Sequence, residues 1–211
     1  MISNISSQLK LSLKITIYSL LVILGVSFLF METNLIMPGI FAGRLSIYLL
    51  WIIAVPGILK RFKVKGSLRN IQIVLMNNRR QLGILMFVLA TMHYFWVRIF
   101  LYITNGFPST FPLYQTFGLL AFNLSVLLLI TSNNFAVRKM KKWWQILHYL
   151  AYPIMLLLIL HVTLQKPDYQ IAGLGVNLNN TLQYAIPSIV VLILQTASWI
   201  SLAKSRKLST V

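Results

Sequence analysis

The chain has 211 residues, of which 58% are hydrophobic and only 10% are charged, whereas a soluble domain carries roughly a quarter charged residues, so the apolar excess needs lipid. The net charge of +17 does not indicate nucleic-acid binding, because the basic residues lie between apolar stretches, where the positive-inside rule expects them. The absence of cysteine excludes disulfides, thiolate nucleophiles, iron–sulfur clusters and cysteine-bound zinc.

Six apolar stretches are long enough to cross a bilayer, which takes about 20 residues for a helix. In chain order they cover about 11–30, 43–59, 82–103, 113–131, 144–165 and 184–203. The first is interpreted as a retained helix, because it is long enough to span and no small-residue cleavage site follows it. The predicted fold class is therefore all-α, a six-helix transmembrane bundle that forms a single integral membrane domain over 1–211.

The basic residues fall on one side of this bundle. They lie before and at the start of the first stretch, in a predicted loop over 60–80, at 138–142 and in the tail from Lys204. The exceptions are Arg44, Arg98 and Lys166, which share the other side with the only two acids, Glu32 and Asp168. This asymmetry predicts that both termini are cytoplasmic.

All three histidines fall inside predicted helices, where ionisable groups are costly and suggest a function. His93 lies in the third stretch, and His148 and His161 lie in the fifth. A single histidine on a helix is more often a core residue that is hydrogen-bonded to a neighbour. Because no carboxylate lies inside any span, a proton relay is disfavoured, and neutral imidazoles in a dry bundle suit haem iron.

The spacing of these residues predicts two depths in the membrane. His161 lies 13 residues beyond His148, about 20 Å along a straight helix. His93 lies 14 residues past Arg79, about 21 Å. Counted from the basic ends, His93 and His161 share the outer half and Arg79 and His148 share the inner half. A straight helix would turn His148 about 140° away from His161, but Pro153 between them can bend or rewind the helix.

Arg79 is a weak ligand candidate on chemistry alone, since its guanidinium carries no lone pair. Two other interpretations of Arg79 are a positive-inside anchor and a partner of a haem propionate. Arg80 would serve equally well as the propionate partner.

At these residues the sequence resembles MsrQ, also called YedZ, in the ferric-reductase-like transmembrane superfamily. The family's RR-x-LG…A-x-LH segment is similar to NRRQLGILMFVLATMHYFW. Its TS…W-x-x-LH-x-x-x-Y…H segment is similar to TSNNFAVRKMKKWWQILHYLAYPIMLLLILH, and its GR-x-x-L opening of the second helix is similar to GRLSIYLL. The likeness covers about 43–165, which would be the ferric-reductase-like core.

The resemblance implies a subunit of the bacterial cytoplasmic (inner) membrane that holds two haem b groups. It implies His93 and His161 as ligands of the outer haem iron, and His148 as ligand of the inner one, with Arg79 at the position proposed as its partner. Flavin mononucleotide (FMN) has also been associated with the family, and no motif for it is found here.

The implied function is electron transfer to MsrP, a periplasmic molybdopterin enzyme that reduces methionine sulfoxide. A cytoplasmic flavin reductase or a quinol would donate the electrons. Two alternatives stay open at this point: a stand-alone ferric or quinone reductase, and a non-redox membrane scaffold or transporter whose histidines are structural.

Overall fold

The computed structural model describes residues 36–99, 102–103, 106, 112–165, 169–171 and 174–208. In this part of the chain, five helical segments are long and apolar enough to cross a membrane. They are Pro38–Arg61, Ser67–Ile99, Leu113–Ile130, Lys142–Thr163 and Leu178–Ala203. The prediction of a helical multi-pass bundle is therefore confirmed, while the predicted first helix over 11–30 lies outside the described residues.

The elements follow one another in a simple order. They are α1 (Ile36–Arg61), α2 (Ser67–Tyr94) with a π-helical turn (Phe95–Ile99), α3 (Leu113–Ile130), α4 (Asn134–Met140), α5 (Lys142–His148), α6 (Ala151–Thr163), β1 (Tyr169–Ile171), β2 (Leu174–Val176), α7 (Leu178–Asn180), a second π-helical turn (Thr181–Ala185) and α8 (Ile186–Leu208). The two strands pair antiparallel as a short hairpin, with Tyr169 opposite Val176.

The loop predicted over 60–80 is wrong for most of its length. The chain turns through Lys63 and Gly66, which have φ angles of 53° and 63°, and α2 then begins at Ser67. No proline interrupts the residues that follow, so the helix continues through the polar segment into the apolar one. Arg79 and Arg80 therefore lie on α2, where both are exposed.

The predicted fifth helix is interrupted, as the position of Pro153 suggested. One helical segment, α5, ends at His148 and the next, α6, begins at Ala151. Pro153 occupies the first turn of α6, where its missing N–H leaves no hydrogen bond unmade. Because His148 and His161 belong to different helical segments, they are not held to the 140° offset of a straight helix.

The described residues fall into two compact units. The first unit takes its residues from Met1–Leu49 and Asn78–Phe107. There the start of α1 packs antiparallel against the end of α2, with Gly39 against Trp96 and Gly43 against His93. A Cβ atom placed on Gly39 would lie 2.7 Å from the Trp96 Cβ. The two glycines, four residues apart, thus permit the close approach that small residues allow between membrane helices.

The second unit takes its residues from Leu50–Asn77 and Pro108–Val211. In it α1 and α8 run parallel, because Trp51 donates to Ser188 at 2.8 Å and Arg61, ten residues on, donates to Ser198 at 2.7 Å. Two neighbouring helices that run parallel must be separated along the chain by an odd number of membrane-spanning segments. The three spans formed by α2, α3 and α5–α6 meet that requirement.

The surface of α8 is apolar and its buried face is polar. Ser188, Gln195 and Ser198 are all at most 4% exposed, whereas Ile193 and Ile200 are 61% and 65% exposed. Water would favour the opposite arrangement, since large apolar side chains are mostly buried in soluble proteins. Lipid around the helix, with polar groups directed to neighbouring helices, accounts for this pattern.

Candidate functional site

His93 is held in the first unit by the backbone of α1. Its Nδ1 lies 2.9 Å from the carbonyl oxygen of Gly39. Because a carbonyl only accepts, Nδ1 must carry the proton and donate, and Nε2 then carries the lone pair of the neutral ring. Gly43, one turn further along α1, lies under the ring, and a Cβ atom there would be 2.6 Å from Nδ1.

His161 is held in the same way in the second unit. Its Nδ1 donates to the carbonyl oxygen of Tyr114 on α3 at 2.8 Å. Gly118 lies four residues after that carbonyl, and a Cβ atom on it would be 2.7 Å from Nδ1. The Tyr114 ring lies beside the imidazole, with centroids 5.9 Å apart. A carbonyl followed by a glycine one helical turn later therefore occurs at both His93 and His161.

His148 is held differently, by its own helix. Its Nδ1 donates to the carbonyl oxygen of Trp144, four residues earlier, at 3.0 Å. The two rings are tilted by 32° with centroids 4.0 Å apart. Trp144 is in turn fixed by donating from Nε1 to the carbonyl oxygen of Thr131, at the end of α3, at 2.9 Å. The Trp144 ring thus lies directly against the imidazole of His148.

The three histidines share a protonation pattern that fits a metal ligand. In each, a backbone carbonyl accepts from Nδ1, so the lone pair lies on Nε2. A second hydrogen bond of this kind fixes the tautomer and the ring orientation of metal-bound histidines. The described ranges contain no group of three or more histidine or carboxylate side chains that could hold a metal ion. Single imidazoles are what axial ligation of haem iron uses.

Within the second unit the two histidines occupy opposite ends of α3. His161 lies beside Tyr114 at its start, and His148 lies beside Trp144, which reaches Thr131 at its end. Tyr114 and Thr131 are separated by about 26 Å along the helix, at 1.5 Å per residue. The two imidazoles therefore lie near opposite ends of α3, whereas their depths in a membrane stay a prediction. The depth of His93 relative to His161 stays a prediction, as do the ligand roles of all three.

Arg79 lies on the same uninterrupted helix as His93. The rise of about 21 Å expected between them therefore holds. Arg79 is an exposed residue, which is compatible with both roles considered for it.

The sequence reasoning missed the glycines beneath the two rings. Gly43 was noted only as part of a motif, and Gly118 was not noted at all. A glycine inside a helix costs about 1 kcal/mol relative to alanine, so its presence in the apolar segment TFGLLAF was a signal that something must approach closely.

Comparison with known proteins gives a consistent result. A family model described as "Ferric reductase like transmembrane component" matches residues 42–159, more than half of the chain. The "Protein-methionine-sulfoxide reductase heme-binding subunit MsrQ" of Xanthomonas campestris pv. campestris (strain B100) is 39% identical over 94 residues. The protein of the same name from Xanthomonas oryzae pv. oryzae (strain MAFF 311018) is 38% identical over 100 residues.

Each of these matches covers 43% of this chain and 43% of the relative, so the chain matches less than half the length of the curated relatives. No solved structure matches the chain significantly.

Proposed function

This chain belongs to the ferric reductase like transmembrane component family, and from that premise we propose that it is a haem-b subunit that carries electrons across the bacterial cytoplasmic membrane. The electrons pass to a periplasmic reductase. The names of the relatives, which are haem-binding subunits of a methionine sulfoxide reductase, support this choice. The chain is an electron-transfer subunit in this proposal and does not reduce the final substrate alone.

The observation that carries the proposal is the hydrogen bond that all three imidazoles make through Nδ1. Each donates from Nδ1 to a backbone carbonyl at 2.8–3.0 Å. A histidine serving only as a packed core residue needs its polar atoms satisfied, with no preference for the tautomer. The same tautomer at all three positions supports iron ligation through Nε2, because an Nδ1–H bond to a carbonyl also raises the basicity of the ligating nitrogen.

When bound, haem b supplies a one-electron carrier whose potential depends on its axial ligands and surroundings. In the proposed assignment, His93 and His161 ligate the iron of an outer haem and His148 ligates that of an inner one. Arg79 is the proposed partner of the inner site. Basic residues of the cytoplasmic side hold the propionates by charge-assisted hydrogen bonds.

The proposed partners follow from the topology and from the family. Both termini and most basic residues are placed in the cytoplasm by the positive-inside rule. The outer site then serves a periplasmic molybdopterin reductase of the MsrP kind. A cytoplasmic flavin reductase or a quinol is the proposed electron donor, and FMN is a further cofactor to test for.

The test is the haem content and spectrum of the purified chain. We expect a Soret band and a reduced α-band of the b type. His93→Ala and His161→Ala should each remove the same low-spin haem, since bis-histidine iron needs both ligands. His148→Ala should leave that haem bound and stop electron transfer from the cytoplasmic side.

Gln145→Ala is the control for His148→Ala, because Gln145 is an exposed residue one turn earlier on α5. A colourless wild-type protein, reconstituted with haemin and still without a Soret band, would support the scaffold alternative and contradict the proposal. Reduction of a ferric chelate by this chain alone would favour the stand-alone reductase.

A further inference from the structure

Two glycines lie beneath the proposed outer ligands, and neither has an assigned role. We propose that Gly43 and Gly118 are positioning residues that set the orientation and the electronic character of His93 and His161. This inference rests on the proposed function, because it concerns the same ligands. It adds two positioning residues, on two different helices, to the histidines themselves.

The space beneath each ring is too small for a Cβ atom. A Cβ atom on Gly43 would lie 2.6 Å from Nδ1 of His93, and one on Gly118 would lie 2.7 Å from Nδ1 of His161. Real Cβ atoms essentially never approach a neighbour closer than 3.0 Å, and ordinary contact begins at 3.4 Å. Each imidazole would have to retreat by about 0.7–0.8 Å to restore ordinary contact with an alanine.

The glycine and the accepting carbonyl have the same spacing at both histidines. His93 bonds to the carbonyl of Gly39 and lies over Gly43, while His161 bonds to the carbonyl of Tyr114 and lies over Gly118. In both cases the glycine comes four residues after the accepting carbonyl. In an α-helix that spacing places the glycine one turn above the carbonyl, on the same face. Without a Cβ there, the ring can reach a carbonyl that already accepts within its helix.

The consequence is a strong and rigid hydrogen bond on the far side of each ring. It fixes the Nδ1–H tautomer and the ring plane, and it increases electron donation from Nε2. Greater donation stabilises ferric over ferrous iron, so these bonds lower the reduction potential of an attached haem. An alanine at either position would push the ring off the carbonyl and raise that potential.

His148 provides an internal comparison. Its Nδ1 donates to the carbonyl oxygen of Trp144 on its own helix, and none of the glycines in the described part of the chain lies beneath its ring. That bond closes within one helical turn and needs no close approach of a second helix. The glycine substitutions should therefore act on the outer haem and leave the inner haem unchanged.

The experiment is to prepare Gly43→Ala and Gly118→Ala and to measure haem stoichiometry, electron paramagnetic resonance and redox potential. We expect the outer haem to be retained about 10–100-fold less tightly, as when second-shell partners of metal-bound histidines are lost. Any outer haem that remains should show a higher potential and an altered low-spin signal. Gly83→Ala is the matched control on α2, because a Cβ atom there meets no other atom within 4 Å.

A double variant separates positioning from folding. If Gly118→Ala acts only by pressing on the imidazole, it should lower the melting temperature of the chain that retains His161 and should not lower that of His161→Ala. Equal losses of melting temperature in both backgrounds would overturn the inference. So would an unchanged outer-haem potential and spectrum in Gly43→Ala and Gly118→Ala. Absence of haem from the wild type would instead refute the proposed function itself.

Discussion

Arg61 offers a quantitative test of how a half-buried cation is accommodated in the second unit. Its Nε donates to Ser198 Oγ at 2.7 Å, and its guanidinium carbon lies 4.7 Å above the ring of Trp199. Its Nη2 is buried and has no hydrogen-bond partner among the described residues, and Ser198 is fully buried. The chain's only two acids lie outside the described residues. We predict that Arg61→Met destabilises the protein even though methionine removes a buried polar group.

The expected change in the free energy of unfolding follows from two stabilising contributions and one destabilising contribution of Arg61. A hydrogen bond from a charged donor contributes about 1.5–3 kcal/mol, and a cation–π contact contributes about 0.5–2 kcal/mol. Burying Nη2 without a partner costs about 1–3 kcal/mol, which the substitution recovers. Taken at the midpoints of these ranges, the expected net loss for Arg61→Met is about 1–2 kcal/mol. Methionine retains the apolar stem against its neighbours, so lost packing adds little.

A double-mutant cycle with Ser198→Ala isolates the pair. Polar contacts between membrane helices couple by about 0.6 kcal/mol on average and up to about 1.7 kcal/mol, and the short Arg61–Ser198 bond should fall in the upper part of that range. The assay is reversible unfolding in mixed detergent micelles, followed by tryptophan fluorescence. Arg69→Met, at an exposed position of α2, is the control. A coupling indistinguishable from zero, or an Arg61→Met protein more stable than wild type, would refute this reasoning.

Two further predictions concern topology and the inner site. Because the chain contains no cysteine, a single introduced cysteine can be labelled without background. We expect a membrane-impermeant maleimide to label Asn179→Cys in intact spheroplasts. The same reagent should label Lys65→Cys only after permeabilisation. The reverse pattern would invert the proposed orientation. Arg79→Ala should change the spectrum or occupancy of the inner haem more than Arg80→Ala does, and equal spectra for the two variants would reduce Arg79 to a positive-inside anchor.

Local sequence patterns predicted those features that depend on contiguous residues. Membrane spans are set by the length of apolar stretches, so α3 was predicted over 113–131 and is found at Leu113–Ile130. The three histidines stood out for a similar reason, since each is an ionisable residue inside an apolar stretch. The break near Pro153 was also foreseen, because proline restricts its own backbone and that of its neighbour.

Polar segments were predicted less well. The basic segment after α1 was interpreted as a loop from its charge, yet most of it belongs to α2. Charge indicates which residues face water and does not indicate whether their backbone is helical. A helix that leaves the membrane can continue in water, where solvent hydrates its polar and charged side chains.

Only the tertiary structure decided how His93 and His161 are held. His93 and its carbonyl partner are 54 residues apart in the chain, and His161 and its partner are 47 residues apart. No local pattern links such positions, and a glycine in an apolar helix carries no sign of which ring will lie upon it. The sequence by itself determined that imidazoles lie within the membrane. The packing of helix on helix determined their tautomer and their support, because both depend on atoms brought together from distant parts of the chain.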